Sequence, residues 1–454
     1  MLPISYNTST KTMNKVFSIN NVSYLLLIIA GLIFLYWYLP VAFSNVYVCD
    51  DYWFGTNVSN YGFWGNQMHY WLNWEGSYTH TFLDSLPHTI KFIRIPFCFN
   101  LISLGLLIYS LSSLIRSLFN ISVLDAGIVG LYISSILYTF TNGSSEIRFW
   151  VSANAYIIEL ALVLFAISLY HKKETNNSKR WYVYMTFLLF AISGCKLTFI
   201  MYTIVGFVLH DLILKIKPNK QTYFIFGILF LFSFVNVLAP GNFIRLQEET
   251  NVYHSDVFTL YDILKIRFDK ILSFIGCSLL LIPASFNIKS YRKISLTQVL
   301  LCAFVLVATF ILDSIIMYVC FRDPGPLRVY VLFEIMILII VLCFCANIST
   351  KLSISNFIRV PLSLILLFAF IIYNIPLIEK KQGSIEFAKQ ARLRDQKIVS
   401  APFSEVICID PLPDSHLLLS YFINDEGWLE NVYLPYFGKS CKIIINDSDR
   451  DGEQ

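Results

Sequence analysis

Again and again along this chain, uncharged apolar residues run for close to the roughly 20 positions that a helix needs to cross a bilayer. The first such run is 22–43. Hydrocarbon offers no water to satisfy backbone amides, so runs of this kind fold as helices that satisfy them internally. Composition agrees, because 56% of the 454 residues are hydrophobic and only 14% are charged, whereas a soluble domain is about a quarter charged. One large helical bundle is therefore expected in place of two or three soluble domains, with the lipid bilayer as its first partner. The net charge of +4 is small, and the basic residues flank apolar runs rather than forming an aromatic-spaced stripe. That excludes nucleic acid and makes the lysines and arginines topology signals.

Read as such signals, Lys11 and Lys15 before the first run, and Asp50 and Asp51 after it, place the N-terminus in the cytoplasm. Loop 1, residues 44–91, is then external. Further spans are expected near 95–115, 123–140 and 151–170, the last followed by the basic stretch 171–180. The stretch 181–214 is too long for one helix and breaks at Ser193-Gly194-Cys195-Lys196, giving two short spans with an external turn at Lys196. A span at 223–238 opens into an external loop from 239 to about 270, and later spans follow to 360–375. About eleven spans result, and every Lys and Arg falls in a loop, a turn or the tail. The first run is long enough to span and lacks a small-residue cleavage site, so it is expected to remain as the first helix.

The bundle is assigned to 1–376, and 377–454, where charge density rises, to a small α/β extracytoplasmic C-terminal domain. That domain is expected to hold a helix through Arg394 and β-rich runs at 405–409 and 441–445. Ten cysteines show no zinc spacing. Cys49, Cys408 and Cys441 are external, and unpaired thiols are the favoured reading for them.

Loop 1 carries the chemistry. It reads Cys49-Asp50-Asp51-Tyr52-Trp53-Phe54-Gly55 and then Tyr70-Trp71-Leu72-Asn73-Trp74-Glu75-Gly76-Ser77-Tyr78. Adjacent carboxylates repel, so one of them can have a raised pKa and accept a proton from a hydroxyl. Aromatic faces such as Tyr52, Trp53, Trp74 and Tyr78 stack on the apolar faces of sugar rings. The bland alternative is a solvated helix end and an interfacial aromatic belt. His69, His80 and His88 share the loop at separations that match no compact metal motif, so they read as sugar-contacting or structural.

An acidic pair directly after the first span, an aromatic loop, many further spans and a short external C-terminal domain resemble the GT-C glycosyltransferase superfold. More closely, Asp50-Asp51-Tyr52, Trp74-x-Gly76-x-Tyr78, Trp150 with Asn154 and Tyr156, and Ala239-Pro240-Gly241-Asn242-x-x-Arg245 are similar to a family of bacterial multi-spanning proteins. That family is itself similar to the glucosyltransferases that modify O-antigen. Ser77 departs from the pattern, since an arginine is common there. The resemblance implies a bacterial inner-membrane enzyme that transfers a sugar, with inversion, from a polyprenyl-phosphate-linked donor to a cell-surface glycan or lipid acceptor. Asp50 or Asp51 would take the acceptor proton as the lipid phosphate leaves.

A leaving phosphate needs cations or a metal to offset its charge. Lys196, Arg245, Arg322 and Arg328 are the candidates, and a divalent metal, Mg or Mn, is the candidate cofactor. Each cation has a plain alternative as a topology or snorkelling residue. Glu146, beside Trp150, Asn154 and Tyr156 at a span entrance, is an auxiliary acid or an exposed loop charge. Glu159, Asp313 and Glu334 fall within spans, where ionisable groups are functional or paired. In the tail, Trp428, Asn431, Tyr433 and Tyr436 form either an acceptor-binding face or the core of the small domain. Two other functions fit part of the pattern: a transporter or flippase of lipid-linked glycans, and a glycan polymerase or ligase centred on external arginines.

Overall fold

The computed structural model describes residues 20–90, 95–171, 178–252, 258–288, 295–321, 324–352, 355–402, 406–418, 424–440 and 442–445. Among these, ten helices are long and apolar enough to cross a membrane. The chain is an all-α polytopic membrane protein.

In chain order the helices are α1 (Asn20–Ser44), α2 (Asp50–Asn73), α3 (Tyr78–Thr89), α4 (Ile95–Phe119), α5 (Val123–Phe140), α6 (Ser144–Ile147), α7 (Val151–His171) and α8 (Lys179–Ser193). They continue as α9 (Leu197–Leu214), α10 (Lys220–Val237), α11 (Pro240–Val252), α12 (Leu260–Ser278), α13 (Ile282–Asn287), α14 (Leu296–Phe321), α15 (Tyr330–Leu352) and α16 (Asn356–Ser400). The expected break near Lys196 is present and separates α8 from α9. At 15 residues α8 is too short to count with the ten, which accounts for the eleventh expected span. What reads as a loop, 44–91, is mostly helical: α2, broken at Gly62 with φ 68°, and α3.

One expectation is overturned. The described residues of 239–270 are mostly helical, because α11 starts directly at Pro240 and α12 starts at Leu260. Proline is tolerated in a first helical turn, where its missing N–H has no partner to lose. Thr259 and Asp262 form a reciprocal capping box that nucleates α12 early. Arg267 therefore lies inside a span, 2% exposed, and is ion-paired with Asp313 of α14. Its charge is neutralised by a partner helix and not by placement in a loop.

Aromatic residues knit the first helix into the bundle. Tyr38 stacks on Phe34 at 5.1 Å and on Phe149 at 5.2 Å, and Trp37 donates from Nε1 to Asn374 Oδ1 of α16 at 2.8 Å. Helix α16 runs without a break across residue 376, where a domain boundary was expected. Beyond it, β1 (Val406–Ile409) and β2 (Lys442–Ile445) pair in parallel, Val406 opposite Lys442. Ile407, Ile409 and Ile443 pack with Leu429, Tyr433 and Leu434 into a small cluster that also takes in Tyr52 of α2. Tyr433 belongs to that core and Trp428 packs against it. Among the described residues neither the buried Cys49 nor the exposed Cys408 is in a disulfide, while Cys441 lies outside them.

Candidate functional site

Three successive residues in the first turn of α2 face three different partners, as the helical step of about 100° per residue requires. Cys49, with φ 47°, is the residue at which the chain turns into α2. Asp50 lines a cavity of about 580 Å³. Asp51 is wholly buried and turns away from it: Oδ2 accepts from the Val48 amide at 2.9 Å, and Oδ1 accepts from the Ser152 amide at 2.8 Å and hydroxyl at 2.6 Å. It ties the turn to the N-terminus of α7, where a carboxylate is favoured by the exposed amides. Tyr52 is buried edge-on against Tyr433 at 4.7 Å and Tyr436 at 5.1 Å.

Two further walls of the cavity bring cations. After α2 the chain passes Trp74 and Glu75 and packs hard against the α10–α11 junction. A Cβ on Gly76 would sit 1.9 Å from the Asn236 carbonyl oxygen, and one on Gly241 would sit 2.4 Å from the Trp74 nitrogen, so only glycine fits at either position. The Gly76 amide donates to Asn242 Oδ1 at 2.9 Å. Asn236 in turn donates to the Ser193 and Cys195 carbonyls at 2.9 and 2.7 Å, which fixes the turn bearing Lys196. Glu75 thereby meets Lys196 Nζ at 2.5 Å and Arg245 at 3.1 Å. The Arg245 guanidinium also lies 4.9 Å over the Trp74 ring. On the other wall Arg328, just before α15, pairs with Glu146 at 2.9 Å and lies 4.9 Å from the Trp150 ring and 5.4 Å from that of Tyr156.

The electrostatics follow from burial and these pairs. Burial raises the Asp50 carboxyl above its usual value, Arg328 and Lys196 pull it back, and Glu146 pushes it up. Burial pushes Asp51 to about 7 against the hydrogen bonds from Ser152 and Val48. Burial opposes ionisation of Glu75 as well, but Lys196 and Arg245 outweigh it and hold that carboxyl below the usual range. For Lys196 the same contest, burial against the Glu75 charge, ends with the ammonium favoured. His80 is held neutral by burial and by the nearby Lys196, Arg328 and Arg245 charges.

A scan against models of known protein families finds no match to this chain, and a search of curated proteins finds none either.

Of the residues singled out in the sequence, Asp50, Trp74, Tyr156, Lys196, Arg245 and Arg328 line this one cavity. Glu146 stands behind Arg328. Asn154 is fully buried at the α4–α7 contact, where it bonds Asn100 and Ser103. Trp53 is 51% exposed and donates to the Tyr70 hydroxyl, and Tyr78 stacks on Phe190, both away from the cavity. Arg322 lies outside the described residues. Among the described residues no group of three His, Cys, Asp or Glu is placed to hold a metal ion.

Sequence reasoning missed Glu75 and Asp84, which also line the cavity. Glu75 had a signal: Lys196 interrupts an apolar stretch and so needs an anion, and an acid stands inside the Trp74-x-Gly76 motif. Asp84 had only its position one helical turn after His80.

Proposed function

We propose that this protein is a membrane glycosyltransferase that moves a sugar, with inversion, from a polyprenyl-phosphate-linked donor to a hydroxyl of a cell-surface glycan or lipid. The observation that carries the reading is that Asp50 shares one cavity with Lys196, Arg245 and Arg328. A base and a set of cations are what the two ends of the transfer need. Asp50 accepts the proton of the acceptor hydroxyl, whose oxygen forms the new bond to the anomeric carbon. The bond from that carbon to the phosphate oxygen breaks, and the electron pair leaves with the polyprenyl phosphate, whose charge the three cations offset. The apolar side of the cavity, with Phe243, Leu246, Ile316 and Met317, suits the prenyl chain. Asp51, with both oxygens occupied, serves as a positioning residue for Asp50.

The same reading puts the cavity on the external face of a bacterial inner membrane, with the N-terminus in the cytoplasm and the C-terminal segment outside. The test is transfer from a panel of radiolabelled polyprenyl-phosphate sugars by the reconstituted protein. Asp50→Asn is expected to lower the rate by about 10²- to 10⁴-fold, the usual worth of a general base, without loss of fold. Full transfer by a folded Asp50→Asn protein ends the assignment. If no donor is used while lipid-linked oligosaccharide crosses the liposome membrane, the protein is a transporter.

A further inference from the structure

A second cavity, of about 630 Å³, lies between α4, α5 and the far end of α7. Ser152 and Tyr156 of α7 line the first cavity and His171 lines the second. At 1.5 Å per helical residue the two stand about 25 Å apart, toward opposite ends of the bundle. The second cavity is long, running about 15 Å along α4 from Tyr109 to Asn120. Its Tyr109 end meets the bilayer, because that residue is 60% exposed halfway along a helix long and apolar enough to span. Its other end is polar. Arg116 is exposed there, and its guanidinium has no hydrogen-bond or ion-pair partner among the described residues. Asn120, in the left-handed region at φ 53°, closes α4 beside it.

These walls restrict the occupant. Among the described residues no acid lines the cavity. Asp125, close by in the first turn of α5, is outside the lining, and its Oδ2 accepts from the Ser122 hydroxyl at 2.8 Å. An open guanidinium with no acid beside it selects an anion, and its planar fork matches phosphate oxygens. Ser117 directs its proton to the Ser113 carbonyl at 2.9 Å, which leaves Arg116 and Asn120 as the phosphate donors. One turn deeper, Ser113 and Ser168 share a hydrogen bond of 2.6 Å in which either hydroxyl can donate. When Ser168 donates, the Ser113 proton is free for an ester carbonyl. A soluble phosphate would leave the apolar length beside Tyr109 empty, and a neutral lipid would leave Arg116 unanswered.

We propose that this second cavity binds an anionic phospholipid, with the phosphodiester on Arg116 and Asn120, the ester region at Ser113 and an acyl chain running past Tyr109. Basic pockets between membrane helices hold lipid headgroups in this way. With no acid to meet a choline or ethanolamine cation, the site favours lipids of net negative charge. The site stands whether or not the protein transfers sugars. To test it, the purified full-length protein in uncharged detergent micelles is titrated with phosphatidylglycerol, with phosphatidylcholine of the same chains, and with soluble glycerol phosphate. Bound molecules are counted by native mass spectrometry. Phosphatidylglycerol is expected to bind wild type about tenfold more tightly than phosphatidylcholine, the increment of a charge-assisted hydrogen bond or two.

In Arg116→Gln that preference falls below about threefold. Val123→Glu sets an anion on the opposite wall, in a first helical turn that favours acids, and has the same effect. Lys179→Ala and Arg180→Ala, at exposed basic residues of α8 outside the cavity, leave the preference intact. All these variants replace exposed residues, so the fold is expected to survive each of them. Glycerol phosphate at the same concentration displaces no lipid. The site is overturned if the two lipids bind wild type equally, or if the preference survives whole in Arg116→Gln and Val123→Glu. Equal loss in the α8 variants would reduce it to general surface charge and overturn it too. Displacement by glycerol phosphate would make the occupant a water-soluble phosphate ester and end the lipid assignment.

Discussion

Replacing Glu75 by glutamine should destabilise the protein and tighten its hold on an anionic ligand at the same time. Glu75 is 8% exposed and answers two cations, Lys196 at 22% and Arg245 at 31% exposure. Removing one partner of a fully buried pair costs about 3–5 kcal/mol, and the partial exposure of both cations reduces that here to about 2 kcal/mol. Thermal unfolding in micelles, followed by tryptophan fluorescence, reads this loss. The second effect has the opposite sign. A phosphate seated on Lys196 would lie about 6 Å from the Glu75 carboxylate, a repulsion of about 3 kcal/mol at an effective dielectric of about 20, which solvent and salt lower to about 1.5 kcal/mol. Titration with farnesyl phosphate should therefore show about tenfold tighter binding by Glu75→Gln, with the gain shrinking as salt is raised. Because Lys196 and Arg245 hold the Glu75 carboxyl below the usual range, acidification to about pH 5 should not reproduce the substitution in wild type. Weaker binding of farnesyl phosphate by a folded Glu75→Gln protein would refute the assignment of these cations to a phosphate.

Other perturbations test the scaffold. Burial lifts the Asp51 carboxyl to about 7 in the folded protein, against about 4 unfolded, so the fold retains a proton that the unfolded chain releases, and stability should fall as pH rises from about 4 to about 7. Asp51→Asn should flatten that part of a Tm-versus-pH curve; an unchanged slope would place the titration elsewhere. Gly76→Ala, whose Cβ would meet the Asn236 carbonyl oxygen at 1.9 Å, should cost about 3 kcal/mol, whereas Gly65→Ala, with 3.4 Å to its nearest neighbour, should cost nothing in the same unfolding assay. Asp313→Ala strands the Arg267 charge among α12, α14 and α15 and should cost about 3–5 kcal/mol, much of it recovered when Arg267→Met is added. Equal stability of the single and double variants would mean that the pair is not what holds those helices together.

The bundle was legible in the sequence because a bilayer leaves a long apolar run only one economical structure. The break near Lys196 and the two short strands were legible too, each marked by a local change of pattern. The position of α12 was not, since a charge-based boundary gives Arg267 to a loop, and only its pairing with Asp313 on a helix 46 residues away allows it inside. Within the site, the adjacent acids Asp50 and Asp51 looked equivalent. What separates them is a distant serine, Ser152, and no local pattern announces that a neighbour in the chain will be claimed by another helix. Glu75 was hidden for a different reason: a carboxylate between tryptophan and glycine looks ordinary until its two cations arrive from 121 and 170 residues away.

The first turn of α2 is braced from two directions, by Ser152 against Asp51 and by Tyr433 and Tyr436 against Tyr52. The second brace comes from the far end of the chain. A ribosome must therefore synthesise as far as residue 436 before the carboxyl of Asp50 acquires its final aim. Until then a chain grown past Arg328 carries the cavity's acid and base groups but not the geometry that would let them act on a passing lipid.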